Sequence, residues 1–223
     1  MRTLGTVTIG QAPRPDVGPI LEKHLAAKAE LVQVGVLDGM TKEQVYASFR
    51  PEPGDYVLTS RLADGDSVVM AREKIAPVLQ RKIDGLEERG CRHILVLCTG
   101  VFEGLSTKRA ELLEPDELLA PIVAAMVGRK RFGVIVPLAE QAESLTAKWS
   151  KHGLKPVVAA ASPYRYSESE MAAACARLKD ETDIVLLDCM GYTEPMRAFV
   201  AEKTGLPVIL SNALMAKVVS EMI

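Results

Sequence analysis

Short apolar runs rich in Val, Ile and Leu alternate with amphipathic stretches of helical length along all 223 residues, and this alternation limits the fold more than any other feature. The runs are Leu4–Ile9, Leu31–Leu37, Tyr56–Leu58, Ile94–Leu97, Phe132–Val136, Pro156–Ala160, Ile184–Leu187 and Pro207–Leu210. Their near-continuous apolar character predicts strands buried on both faces, as in a parallel sheet. Between them, 16–28, 70–89, 115–127, 140–152, 167–180, 194–204 and 212–222 read as helices. Glycines close three of these, in Arg89-Gly90, His152-Gly153 and Thr204-Gly205, and Ser167 with Glu170 reads as a capping box. The pattern predicts an α/β architecture with parallel sheets. A (β/α)₈ barrel fits less well, because 223 residues is short for one and the spacing is uneven. Leu62-Ala63-Asp64-Gly65-Asp66 is a turn signal, so a hairpin or flap is expected over 60–69. Glu114-Pro115 is the expected lobe boundary.

A weak repeat suggests two such lobes. Arg92-His93-Ile94-Leu95-Val96-Leu97-Cys98-Thr99-Gly100 resembles Thr182-Asp183-Ile184-Val185-Leu186-Leu187-Asp188-Cys189-Met190-Gly191. Each is an apolar strand, a cysteine, then a glycine two residues on. Ligands of open parallel sheets bind at the carboxyl ends of strands. A thiol there is expected to be held by backbone N–H groups and a helix N-terminus, both of which favour the thiolate. Two thiols across a cleft make an acid–base pair, one taking a proton from carbon and the other delivering one to the opposite face. The competing reading is that both are small buried hydrophobes. Cys91 and Cys175 read as structural.

The remaining residues exclude more than they assign. The four cysteines form no C-x-x-C pair, and His24, His93 and His152 lie on helices or beside helix ends, so neither a metal cluster nor a His-based triad is expected. Gly10-Gln11-Ala12-Pro13-Arg14-Pro15-Asp16 is neither a dinucleotide fingerprint nor a P-loop. Arg14 or Gln11 could hold a ligand carboxylate, or the loop could be a rigid turn. Asp188 need not touch the thiol of Cys189, because neighbouring strand side chains point to opposite faces. Thr193 reads as a helix cap. Asn212 reads as a cap, as a donor into the cleft, or as both. The Arg129-Lys130-Arg131 corner reads as solvated. A net charge of −2 with few aromatics argues against nucleic-acid binding, and no stretch is long and apolar enough to cross a bilayer. The first apolar run reads as a strand and not a signal peptide, so the expected compartment is the cytoplasm, with reduced thiols.

Thr8-Ile9-Gly10, Leu97-Cys98-Thr99, Gly133-Val134-Ile135-Val136-Pro137, Leu187 to Tyr192 and Leu210-Ser211-Asn212-Ala213-Leu214 together resemble the AroM family, over essentially the whole chain. That family is similar to the aspartate/glutamate racemase superfamily, with its hydantoin racemases, arylmalonate decarboxylases and maleate isomerases. The resemblance implies two similar Rossmann- or flavodoxin-like lobes, 1–114 with 206–223 and 115–205. It implies a cofactor-free cleft between them with one cysteine from each, Cys98 and Cys189. It also implies that Ser211 and Asn212 are a polar strand-end pair near the cleft, and that Gln11 lies in a substrate-contacting loop. Two motifs depart from the amino-acid racemases. Cys98-Thr99-Gly100 stands where they have Cys-Asn-Thr, and Asp188-Cys189-Met190-Gly191 where they have Gly-Cys-Thr-Glu.

The expected function is a cofactor-independent racemase or isomerase acting on a small carboxylate or related acidic C–H compound. Cys98 and Cys189 would exchange protons, with Gln11, Arg14, Thr99, Gly100, Gly191, Tyr192, Ser211 and Asn212 around the substrate. No metal or cofactor is expected, and a homodimer is the default for the superfamily. The alternatives are a decarboxylase or lyase with one working thiol, and a small-molecule-binding protein on the same frame.

Overall fold

The computed structural model describes residues 2–25 and 28–223; positions 1, 26 and 27, the last two of which fall in the expected first helix, lie outside them. In the first lobe, β1 (Arg2–Thr8), α1 (Gly18–Leu25), β2 (Ala29–Gly35) and α2 (Lys42–Phe49) precede a hairpin of β3 (Val57–Arg61) and β4 (Ser67–Ala71). The chain continues through α3 (Arg72–Glu88), β5 (His93–Leu97) and β6 (Glu111–Leu113). The second lobe runs through α4 (Pro115–Val127), β7 (Phe132–Val136), a 3-10 turn, α5 (Ala142–Ser150) and β8 (Val157–Ala160). It then continues through α6 (Glu168–Lys179), β9 (Ile184–Leu187), α7 (Glu194–Thr204) and β10 (Val208–Leu210), and α8 (Ser211–Met222) follows.

Both main sheets are parallel throughout, with strand orders β2-β1-β5-β6 and β8-β7-β9-β10. With the hairpin set aside, this is one order used twice: second, first, third, fourth. The expected two-lobe α/β fold is therefore present. β3 and β4 form the expected hairpin, antiparallel from Val57↔Ala71 to Arg61↔Ser67. Because Met70 and Ala71 belong to β4, α3 begins at Arg72 and not at Met70. Two short elements have no counterpart in the sequence reading. One is α2, opened by a capping box of Thr41 and Gln44 but burying only Val45 and Phe49; the other is the three-residue β6.

One apolar core runs through both lobes. Leu4, Leu21, Leu25, Leu95 and Leu97 of the first meet Ile135, Leu187 and Met190 of the second, and Val219 of α8 joins the same core. Each such side chain removed from water contributes roughly 1.5–3 kcal/mol. The opposite face of the first sheet packs on α2, α3 and the hairpin. That of the second packs on α4 and α5, with Trp149 edge-on to Phe132 at 5.0 Å. The expected return segment, 206–223, contains β10 and α8. β10 hydrogen-bonds to β9 in the second sheet, and α8 alone packs on α1.

Candidate active site

Cys98 is the first residue beyond β5, and Cys189 the second beyond β9. Each thiol folds back on its own turn. The Cys98 Sγ accepts the Gly100 N–H at 3.3 Å, and the Cys189 Sγ accepts the Gly191 N–H at 3.4 Å. Both turns need glycine. A Cβ at Gly100 would stand 2.7 Å from the Leu58 side chain, and one at Gly191 would stand 2.6–2.7 Å from the Tyr164 phenol.

The two thiols line one cavity, together with Thr99, Gly100, Asp188, Met190, Tyr164 and Lys148. Tyr56, Leu58 and Thr59 close it from the first-lobe side, and Pro137, Gln141, Ser144 and Leu145 from the second. Its volume is about 40 Å³. One water needs roughly 10–15 Å³ on that measure, so the space suits a ligand of a few heavy atoms.

Lys148 ties the two cysteine loops together. Its ammonium donates to the Thr99 carbonyl at 2.8 Å and to Asp188 Oδ2 at 3.4 Å, with Asp116 3.7 Å away. The Thr99 hydroxyl donates to the Asp188 carbonyl at 3.3 Å, closing the bridge. Burial would lower the Lys148 pKa, but the carboxylates of Asp188 and Asp116 outweigh it and hold the group above its ordinary value.

The thiols do not titrate as the sequence suggests. Burial pushes Cys98 up to about 12, against a smaller pull from the Gly100 N–H, and a charge on Cys189 would push it further. Burial also raises Cys189, opposed by hydrogen bonds from Tyr164 and Gly191 and by the charge of Arg14. Desolvation outweighs the strand-end N–H groups, so both thiols are pushed above the ordinary cysteine range.

The other expected residues divide. Thr99, Gly100 and both cysteines line the cavity, and Gly191 sits behind Tyr164. Arg14 does not present its charge to a ligand. Its five N–H groups are taken by Asp16 (2.8 and 2.7 Å), Thr8 (2.8 Å), Ser60 (3.4 Å) and Tyr164 (3.3 Å). Gln11 is spent on backbone, donating to Leu37 and Met40 and accepting from Ala63, which pins the hairpin turn. Tyr192 is fully buried and donates to the Ala161 carbonyl. Ser211 donates to Leu187, and Asn212 to Met190 and Tyr192. Asn212 therefore neither caps α8, whose N-cap is Leu210, nor reaches the cavity; it supports the Cys189 loop from behind.

The sequence reading missed Lys148, Tyr164, Tyr56, Gln141 and Ser144, and set Asp188 aside. Lys148 left a trace, since Leu145, Lys148 and Trp149 share the buried face of α5. Among the described residues no group of three or more His, Cys, Asp or Glu could hold a metal ion, and no helix is long and apolar enough to cross a membrane.

Two parallel-sheet lobes around one cleft place this chain in the racemase-type two-lobe fold. An aspartate racemase from Picrophilus torridus superposes with a TM-score of 0.62 at 14% identity, covering 100% of this chain and 94% of that one. The maleate isomerase Iso from Pseudomonas putida S16 gives 0.65 at 11%, over 99% and 92%. An unliganded arylmalonate decarboxylase gives 0.61 at 14%, over 100% and 92%. At such identities the likeness establishes the fold. No protein of curated function matches the chain. The AroM protein family matches residues 4–223, and the chain belongs to that family.

Proposed function

We propose that this chain is a cofactor-independent racemase or isomerase acting on a small carboxylate, or a related compound with an acidic C–H, by proton transfer between Cys98 and Cys189. The observation that carries the reading is that the third strand of each sheet delivers a thiol to one shared cavity. On this reading the lobes are 2–114 with α8, and 115–210, and the cleft between them is the active site. Substrate enters as an anion. Its charge competes with Asp188 and Asp116 for the Lys148 ammonium, the one cationic side chain lining the cavity among the described residues. As a proton leaves carbon, negative charge grows on the substrate's oxygens. A fixed ammonium in a dry site stabilises that charge far more than water would. The turn N–H groups at Gly100 and Gly191 hold the sulfurs in place, and Thr99 ties the two cysteine loops together. The four cysteines are free thiols, which suits work in a reducing cytoplasm.

The test is solvent deuterium incorporation into a panel of small 2-amino, 2-hydroxy and unsaturated acids. Exchange is expected in the wild-type protein, with Cys98→Ala and Cys189→Ala each lowering it by about 10²–10⁴-fold. Exchange that survives both substitutions would refute the assignment.

The raised thiol pKa values favour a second reading. A thiol kept neutral at working pH is a proton donor, which is what a decarboxylase needs to quench a carbanion. Carbon dioxide release from arylmalonate-type acids that depends on one cysteine alone would select it.

A further inference from the structure

The two thiols are held differently. Tyr164 lies beyond β8, and its hydroxyl oxygen accepts Arg14 Nη2 at 3.3 Å while lying 3.3 Å from the Cys189 Sγ. A guanidinium has donors only, so Arg14 must give the proton in the first contact. The hydroxyl makes no other hydrogen bond among the described residues, so once Cys189 is negative the phenolic proton is the one that fills the contact with sulfur. Thr8, Ser60 and Asp16 fix the guanidinium, and Gly191 leaves the ring room to sit. A negative Cys189 thus has two donors, the Tyr164 O–H and the Gly191 N–H, whereas a negative Cys98 has only the Gly100 N–H.

We propose that the Arg14–Tyr164 chain makes Cys189 the first of the two thiols to ionise, so that in the direction this starts Cys189 accepts the proton and Cys98 donates one, with the roles exchanged in reverse and Tyr164 as the positioning residue. This rests on the two-cysteine reading above. In one turnover the Cys189 thiolate takes the proton from carbon and the Cys98 thiol gives its proton to the opposite face. Cys189 is left protonated and Cys98 negative. The pair resets by losing a proton from Cys189 to water and gaining one from water at Cys98.

Other charged or titratable groups bear on the pair. Arg14, Tyr164, Tyr192, Asp188 and Cys98 face Cys189; Lys148, Asp188, Tyr56 and Cys189 face Cys98. Asp188 disfavours a charge on both, Lys148 favours one on Cys98 and Arg14 favours one on Cys189, so the second hydrogen-bond donor at Cys189 is what sets the order. The two residues are similarly buried, at 7% and 9% exposure, and line the same cavity, so a small alkylating reagent approaches both from one side.

The experiment is site-resolved alkylation of the full chain by iodoacetamide across a pH series, read by peptide mass spectrometry. Cys189 should react at lower pH than Cys98. Tyr164→Phe should move the Cys189 profile up by about one pH unit, a tenfold loss of thiolate at a given pH, and leave the Cys98 profile in place. A Cys98 profile at or below that of Cys189, or an unmoved Cys189 profile in folded Tyr164→Phe, would overturn the proposal. If the variant does not fold, the order of the two wild-type profiles decides. The readout needs no substrate. Absent deuterium exchange with the order intact refutes only the racemase reading; exchange with the order reversed refutes only this one.

Discussion

Lys148 sits on the buried face of α5, where periodicity calls for an apolar side chain, and the reason lies in residues far away in sequence. Asp188 and Asp116 are both shielded, and without a cation each would be a costly buried charge. Lys148→Met should therefore destabilise the fold by about 3–5 kcal/mol, read as a lower urea midpoint with an unchanged slope. Adding Asp188→Asn to Lys148→Met should return a large part of that loss, because it removes the uncompensated charge. If the double variant is no more stable than the single one, the cluster is not electrostatically coupled. Gly191 shows a steric counterpart. A Cβ there would stand 2.7 Å from the Tyr164 hydroxyl, so Gly191→Ala must displace the ring. A cost of about 1–3 kcal/mol is expected in thermal melts, with loss of the Tyr164–Cys189 contact. The cysteines were legible from their strand-end positions, because that context is local. Lys148 and Tyr164 were not singled out, because what makes them matter is a partner on another element.

The helix start at Glu114-Pro115 puts three acids together, Glu114, Asp116 and Glu117, of which Asp116 alone lies near Lys148. Partial burial, then repulsion from Glu117 and Asp116, raises Glu114 from 4.5 to about 7. The folded chain keeps this proton up to about pH 7, the unfolded chain only to its ordinary 4.5. Folding thus takes up a proton between those values, and the contribution is full below pH 4.5 and lost as pH rises through 7. Glu114→Gln should flatten the fall. Relative to wild type, the variant should gain on the order of 1–2 kcal/mol in urea midpoints between mildly acidic and mildly alkaline pH, allowing for partial solvation. An equal pH slope in both proteins would reject this account. Elements with long apolar runs or firm punctuation were legible almost to the residue. β7, β9, α4 and α7 have the expected bounds, α7 opening on the Thr193 cap and closing at Gly205 with φ +70°. α2 and β6 were not legible. Each is short and buries few residues, so tertiary contact rather than its own pattern holds it in place.

The lobes repeat one strand order, yet their thiols do not occupy the same strand position. Ile94, Val96 and Cys98 share the outer face of the first sheet, whereas Val185, Leu187 and Cys189 share the core between the lobes. Counted from the strand ends, Cys98 matches Asp188, and Cys189 matches Thr99. A step of one residue in an extended chain turns a side chain to the other face. The second thiol thus comes from the opposite face to the first, and its strand-end place passes to Asp188, which holds Lys148. Such a site requires the lobes to keep a fixed relation, and the shared core supplies it. Leu21 of α1, in the first lobe, is buried in that core; Trp149, the sole tryptophan, is buried on the far side of the second sheet. If the core couples the lobes, Leu21→Ala should cost about 2–5 kcal/mol and lower the unfolding midpoint seen by Trp149 fluorescence as much as that seen by far-UV circular dichroism. A Trp149 transition that stays at the wild-type midpoint while the dichroism splits in two would mean that the lobes unfold separately. The cavity walls would then not be held at a fixed spacing by the fold alone.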